Sequence, residues 1–227
     1  MEKEAITGKL DLAVRRAARK MGVIPEETGI ERLQLYAEEL SRWNRAYNLI
    51  GRRIGEEGMI SLITDSLTPL LIKGLITEQK EILDIGSGAG LPGIPIYLFS
   101  GPFPLTLVES QRKKITFLRH TRRHLDLKQV RIYPGRFEEM AHIEDNFSKF
   151  DLVLARAVTD PMRILRQAKP VMSQGGRMVL FVGKNDAERL RKASIDLEKS
   201  AGLKIEGIRS TESIVGKEHY LVVVAKR

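Results

Sequence analysis

The chain has 227 residues, 42% of them apolar, with a formal net charge of +9 and an isoelectric point of about 9.8. It has no cysteine, which excludes disulfide bonds, thiolate catalysis and cysteine-bound zinc. We expect no membrane span and no signal peptide, and therefore a cytoplasmic protein built from one α/β domain with a smaller attachment.

The first 78 residues are predicted to form a helical extension, followed by the main domain at residues 79–227. Thr28 and Glu31 have the spacing of a capping box, which predicts a helix start there. Apolar side chains then recur at helical spacing, at Ile30, Leu33, Ala37, Leu40 and Tyr47.

Two side-chain pairs at the end of this helix permit two interpretations. Trp43 lies one helical turn before Tyr47, and Asn44 lies one turn before Asn48. An aromatic and amide surface of this kind suits contact with RNA or with the cofactor domain. Alternatively, the rings pack the helix onto the main domain while the amides cap a turn.

Residues 81–95 contain the most informative motif of the chain. An apolar run at residues 82–85 predicts a buried strand, and three glycines follow it at alternate positions, Gly86, Gly88 and Gly90. Pro92 suits the first turn of a helix, where no amide donor is needed. A strand, a glycine turn and a helix N-terminus together let a ligand lie against bare backbone.

The spacing of the glycines decides between ligands. A dinucleotide fingerprint requires glycine where this chain has Leu91, and a Walker loop would need a following Gly-Lys-Ser/Thr. Asp84 precedes the glycines, and Glu109 ends the next apolar run, residues 105–109, which predicts a second strand. A carboxylate in that position can accept both hydroxyls of a ribose. This pattern resembles the S-adenosylmethionine (SAM) site of class I methyltransferases.

The helix predicted at residues 111–126 is strongly basic. It contains no acidic residue between Gln111 and Leu125 and six cations, Arg112, Lys113, Lys114, Arg119, Arg122 and Arg123. Arg112, Arg119 and Arg123 fall near one helix face, which suits a phosphate backbone. A solvated face in a charge-rich protein is the alternative interpretation.

Histidines 120 and 124 are four residues apart on the same predicted helix. They could share one face, but the sequence shows no third ligand near them. We therefore expect no metal site.

The rest of the chain alternates between strands and helices, as in a doubly wound fold. Strands are predicted at residues 130–133, 150–154 and 177–182, and helices at 137–142, 160–172 and 185–201. Two late strands, 203–209 and 219–225, are close enough in sequence to pair antiparallel. The expected fold class is therefore α/β, with a Rossmann-like, seven-stranded class I methyltransferase sheet and helices on both faces.

The chain resembles the RsmG (GidB) family of 16S rRNA guanine-N7 methyltransferases. The segments that carry the resemblance are Trp43-Asn44-x-x-Tyr47-Asn48-Leu49, Asp65-Ser66-Leu67, residues 84–95, residues 135–139 and Arg156-Ala157. They occur in family order over about two thirds of the chain. The extension Gly-Leu-Pro-Gly-Ile-Pro at residues 90–95 is more specific than the glycine motif alone.

The resemblance implies a SAM site and a surface for 16S ribosomal RNA or the small ribosomal subunit. It implies that the cofactor contacts Asp84, Gly86, Gly88, Gly90, Leu91, Glu109, Phe137, Glu138 and Arg156. Arg156 is also expected at the opening where methyl donor and base meet. Further cations expected to contact RNA are Lys184, Arg119 and Arg123. The protein is expected to act as a monomer, without metal or membrane.

The expected reaction requires no general base, because guanine N7 carries an in-plane lone pair and no proton. The sequence accordingly identifies no catalytic residue. Two other functions stay open: methylation of a small metabolite or a protein at the same SAM site, and a nucleotide-binding module without transfer activity. The basic charge favours RNA over the first alternative, and the intact glycines with Glu109 argue against the second.

Overall fold

The computed structural model describes residues 2–51, 54–141, 149–157, 159–216 and 218–227. It contains a seven-stranded sheet whose strands are β1 (Ile82–Ile85), β2 (Leu105–Glu109), β3 (Val130–Pro134), β4 (Phe150–Arg156), β5 (Met172–Val182), β6 (Leu203–Ser210) and β7 (Tyr220–Lys226). The strand order is β3-β2-β1-β4-β5-β7-β6; β7 runs antiparallel to β5 and β6, and all other neighbouring strands are parallel. The predicted fold class and the late antiparallel pair are confirmed.

Ten α-helices surround this sheet in the described residues. They are α1 (Glu2–Met21), α2 (Glu27–Tyr47), α3 (Glu56–Ser66), α4 (Gly93–Ser100), α5 (Arg112–His124), α6 (Phe137–Ala141), α7 (Pro161–Ala168), α8 (Lys184–Lys192), α9 (Ser194–Ala201) and α10 (Glu212–Val215). None of the helices in this part of the chain is both long and apolar enough to cross a bilayer.

The two faces of the sheet have separate apolar cores, because successive strand residues point to opposite sides. Leu83 and Ile85 pack with α6 to α9, whereas Ile82 packs on the face that carries α1 to α5. The N-terminal helices therefore share one continuous core with the sheet. The division at residue 78 stays a prediction about chain organisation.

Several predicted boundaries were wrong. The helix predicted at 160–172 ends at Ala168 and continues as a short 3₁₀ turn. The helix predicted at 185–201 is interrupted at Ala193, between α8 and α9. Strand β5 begins at Met172, five residues earlier than predicted. Its pairing with β4 shifts register between Met172 and Arg177, and Gly175, with φ of 72°, lies in that irregular stretch. Residue 142, the predicted end of α6, lies outside the described residues.

The capping box predicted at Thr28 and Glu31 was also wrong. The helix begins two residues earlier than predicted, with Glu26 in the N-cap position, and no side chain caps it. Thr28 consequently lies inside the first turn, where it is no longer the cap residue. Glu27 in that turn instead accepts a hydrogen bond from Arg15 of α1 at 2.6 Å.

At the other end of α2, the turn-capping interpretation of the amides is confirmed for Asn44. Its Oδ1 accepts hydrogen bonds from the backbone N–H groups of Leu49 at 2.7 Å and Ile50 at 3.0 Å. Asn48 adopts the left-handed conformation that ends the helix, with φ of 51°.

Candidate functional site

The glycine turn after β1 depends on a backbone conformation that side chains disfavour. Gly86, Gly88 and Gly90 have φ of 65°, 60° and 92°. A Cβ on Gly90 would lie 2.3 Å from Cδ1 of Ile94, whereas a Cβ on Gly86 would meet nothing within 4 Å. Gly90 is therefore required for packing, and Gly86 leaves open space above the turn.

Behind the turn, the start of α4 is held by the last part of β1. The backbone N–H of Gly93 donates to Oδ2 of Asp84 at 2.9 Å. A Cβ on Gly93 would lie only 2.8 Å from that oxygen, so the close contact requires glycine. Pro92 occupies the N-cap position of α4, one residue before the predicted helical position. This packing explains why a glycine follows Pro92.

Asp84 lies beneath the turn and is fully buried. Its Oδ2 accepts the Gly93 bond, and its Oδ1 has no hydrogen-bond partner among the described residues. Burial raises the pKa of this carboxyl to about 7, against the opposing effects of the Gly93 bond and Arg156. Direct contact between Asp84 and a cofactor stays a prediction.

Replacing Asp84 with asparagine should change how stability depends on pH. The side chain has an ordinary pKa of 3.8 and a folded-state pKa of about 7. As the pH rises between these values, the unfolded chain ionises first, which favours unfolding. We therefore expect the wild-type protein to lose stability relative to Asp84→Asn from about pH 4 to about pH 7. Urea unfolding of both proteins across this range measures it, and parallel pH profiles would contradict it.

Glu109, at the end of β2, fixes the other side of the turn. Its Oε2 accepts from the N–H of Gly88 at 2.9 Å, and its Oε1 accepts from Ser110 and Gln111, both at 2.8 Å. A carboxylate has about four acceptor positions, so one remains beside these three bonds. The residue can hold the turn and still accept a ribose hydroxyl.

A second element outside the motif also supports the turn. The hydroxyl of Tyr36, on α2, donates to the carbonyl oxygen of Ala89 at 2.9 Å. Tyr36 is fully buried, and burial raises the pKa of its phenol far above the usual range. Sequence reasoning missed this residue because no local pattern connects positions 53 residues apart.

A cleft of about 420 Å³ opens at the C-terminal ends of β1, β2 and β3. This is the edge of the sheet where α/β proteins bind their ligands. Its lining comprises Ile85, Gly86, Val108, Glu109, Ser110, Gly135, Arg136, Phe137, Glu138, Thr159 and Ile164. Four predicted cofactor residues therefore meet here: Gly86, Glu109, Phe137 and Glu138.

Apart from Arg156, the other predicted cofactor residues lie in or below the turn. Gly88 is half-buried in the turn itself, and Gly90 and Leu91 are buried behind it with Asp84. No side chain in this group lines the cleft. Their contact with a cofactor stays a prediction.

Arg156, at the end of β4, points toward α3. Its guanidinium donates to Oδ2 of Asp65 at 2.8 Å, to the Leu62 carbonyl at 3.1 Å and to Oγ of Ser66 at 3.0 Å. Asp65 is buried and Arg156 is largely so, and this burial lowers the pKa of Arg156. Thr211 also donates to Asp65, at 3.4 Å. These contacts join α3 to the end of β4.

Three other cations were predicted to bind substrate, and none of them contacts Arg156 directly. They are Lys184, Arg119 and Arg123. Lys184, the first residue of α8, pairs with Glu218 at 3.2 Å and is exposed. Arg119 and Arg123 are exposed on α5. Their roles toward RNA stay predictions.

The two histidines of α5 both approach one buried carboxylate. Nε2 of His120 contacts Oε2 of Glu39, and Nε2 of His124 lies 3.8 Å from Oε1. Arg42 also donates to Glu39. Within the described ranges, no group of three or more side chains has the arrangement of a metal site.

Comparison with known proteins identifies a family and a fold. Residues 29–214 match the family described as "rRNA small subunit methyltransferase G" (GidB). A protein of Syntrophotalea carbinolica with the name Ribosomal RNA small subunit methyltransferase G is 32% identical over 209 residues, 92% of this chain and 94% of the relative. A protein of the same name from a Geobacter species is 31% identical over 213 residues, 94% of this chain and 96% of that protein.

Solved structures are similar in fold. Fibrillarin from Aeropyrum pernix, with SAM bound, gives a TM-score of 0.56 at 17% identity and covers 70% of this chain and 73% of its own. An rRNA methylase from Streptococcus thermophilus gives 0.52 at 10% identity, over 71% of this chain and 92% of its own.

Proposed function

Because the chain belongs to the rRNA small subunit methyltransferase G family, we propose that it methylates N7 of a guanine in 16S rRNA with SAM as the methyl donor. The family match over residues 29–214 carries this proposal. The cleft beside the glycine turn supports it, since Gly86 leaves backbone open and Glu109 retains an acceptor position.

Different cleft residues contact different parts of SAM. When bound, SAM supplies a methyl group that is electrophilic because it is attached to a sulfonium. Gly86 admits the ligand against bare backbone, and Glu109 accepts from a ribose hydroxyl through its remaining acceptor position. The backbone at Phe137 and Glu138 flanks the adenine. The proposed cofactor site is completed by the glycine turn, with Gly88, Gly90 and Leu91, and by Asp84, which lies beneath that turn.

The protein's part in the reaction is positioning. Guanine N7 has a free lone pair, so the residues must orient the base and exclude water without taking a proton. The target guanine must be unpaired or extruded, because the major groove of duplex RNA is too narrow for side chains. We propose that Arg156 and Lys184 border this opening, and that Arg119 and Arg123 contact phosphates. We further propose a monomeric, cytoplasmic enzyme.

One assay tests the proposed function. The protein is incubated with labelled SAM and either naked 16S rRNA or assembled small subunits, and the modified atom is then mapped. We expect label at guanine N7 in at least one of these substrates. Label on another atom would contradict the N7 assignment, and transfer only to a metabolite or a protein would support the alternative.

A further inference from the structure

Four aromatic rings from α2 and α5 lie side by side on the face that these helices share. The order is Tyr47, Trp43, His120 and His124, and adjacent ring centroids are 5.2, 5.0 and 5.5 Å apart. We call these four residues the ring row. The last two rings are stacked, with an interplanar angle of 13°.

The ring row is anchored on the core at its centre and accessible at both ends. Trp43 packs against the buried ring of Phe117, with centroids 5.7 Å apart. Tyr47 is 51% exposed, and the side chain of His124 is 47% exposed. The Trp43–Phe117 contact joins α2 to α5 in the core, whereas the rings at the two ends remain about half exposed.

Cations accompany the ring row along its length. Lys113 donates to the backbone carbonyl of Tyr47 at 3.0 Å, and Arg42 lies 3.5 Å from Nε2 of His120. Arg123 is exposed next to His124 in the sequence. The nearby carboxylate of Glu39 already contacts His120 and Arg42, and α5 itself contains no acidic residue. This surface therefore complements a polyanion that also carries flat rings.

The ring row begins near the proposed cofactor turn. Lys113, which contacts Tyr47, lies at the start of α5, and this helix begins three residues after Glu109. Nζ of the next residue, Lys114, lies within 3.9 Å of where a Cβ on Gly88 would be. An RNA strand that presents a nucleobase to the cleft can thus continue over the ring row.

We infer that the ring row is a stacking surface for single-stranded RNA next to the target guanine. Bases stack on the exposed rings while Arg42, Lys113 and Arg123 neutralise phosphates, which is how proteins hold single strands without reading sequence. This inference rests on the proposed function, because the RNA strand is the one that carries the methylated base.

The first test uses Trp43, the only tryptophan of the chain, as a reporter inside the ring row. Oligoadenylate is the probe because it stacks well and contains no guanine to be methylated. We expect it to quench Trp43 fluorescence, and the affinity should fall as salt rises. Unchanged fluorescence at saturating oligoadenylate, or equal quenching by a fully paired RNA duplex, would overturn the inference.

The second test removes the two exposed rings together, in Tyr47→Ala/His124→Ala. We expect oligoadenylate affinity to fall at least about tenfold, since each base–aromatic stack contributes about 1–3 kcal/mol. Tyr47→Phe should retain binding because it keeps a ring. The matched control is Ile195→Ala on α9, which removes an exposed apolar side chain outside the row. Wild-type affinity in the double variant would overturn the inference.

Failure of this inference and failure of the proposed function are distinguishable. With 16S rRNA as substrate, the double variant should show a higher KM, a retained kcat and unchanged SAM affinity by calorimetry. If the wild-type protein transfers no methyl group to guanine N7 but the variant still loses oligoadenylate binding, the proposed function fails and the stacking surface stands. If the wild-type protein and the double variant methylate guanine N7 equally and bind oligoadenylate equally, only the stacking surface fails.

Discussion

Replacing Asp65 with alanine is expected to lower the free energy of unfolding by about 3–5 kcal/mol, because it leaves the buried charge of Arg156 unpaired. The two side chains are 2.8 Å apart with only 3% and 12% of their surfaces exposed. Urea unfolding of the wild-type and variant proteins measures the difference. The double replacement Asp65→Leu/Arg156→Met should recover part of the loss, since it removes both charges.

An exposed ion pair of similar length provides the matched control. Arg177 on β5 and Glu206 on β6 are 2.7 Å apart, but their side chains are 39% and 37% exposed. Glu206→Ala should therefore cost at most about 1 kcal/mol. Equal losses in the free energy of unfolding for Asp65→Ala and Glu206→Ala would contradict the prediction that burial makes the Asp65–Arg156 pair more important for stability.

Replacing Gly86 with valine is expected to reduce SAM affinity at least about a hundredfold, which corresponds to about 2.7 kcal/mol. The new side chain would project into the open space beside the cleft, where the proposed ligand lies. The substitution also strains the backbone, since φ at this position is 65°. Calorimetry with SAM measures the affinity, and circular dichroism checks that the protein is folded.

Gly175→Val is the control that separates backbone strain from steric exclusion of SAM. Gly175 has φ of 72°, and a Cβ there would also meet nothing within 4 Å, but it lies in β5 outside the cleft. Both variants should lose similar stability, of about 1–2 kcal/mol. Only Gly86→Val should lose SAM binding. A folded Gly86→Val protein with wild-type affinity would refute the proposed position of the cofactor.

The sheet could be predicted closely because its signals are local. Apolar runs bounded by glycine and proline located β1 and β2 to the residue. The glycine turn was also recognisable, since alternate glycines reveal a backbone with positive φ. The break at Ala193 was missed because neither glycine nor proline occurs there. It coincides with the change from α8 to α9, whose buried residues Leu190 and Leu197 pack on the same core.

The contacts that support the site could not be predicted in the same way. Tyr36 contacts the turn, and Arg156 contacts Asp65 and Ser66, through pairs of residues 53, 91 and 90 positions apart. No periodicity connects such positions, and only the assembled fold brings them together. The family resemblance identified Arg156 as a site residue, but it did not show that its guanidinium pairs with Asp65 of α3.

The Tyr36 hydroxyl has a consequence for building chimeras between related proteins. Helix α2 contacts the backbone of the glycine turn and shares an apolar core with α4 and α5, so a change in the N-terminal helices also changes the support of that turn. An exchange of residues 1–78 alone would replace one side of that contact and leave the other. A working hybrid must therefore transplant the matching faces of α4 and α5 together with the exchanged segment.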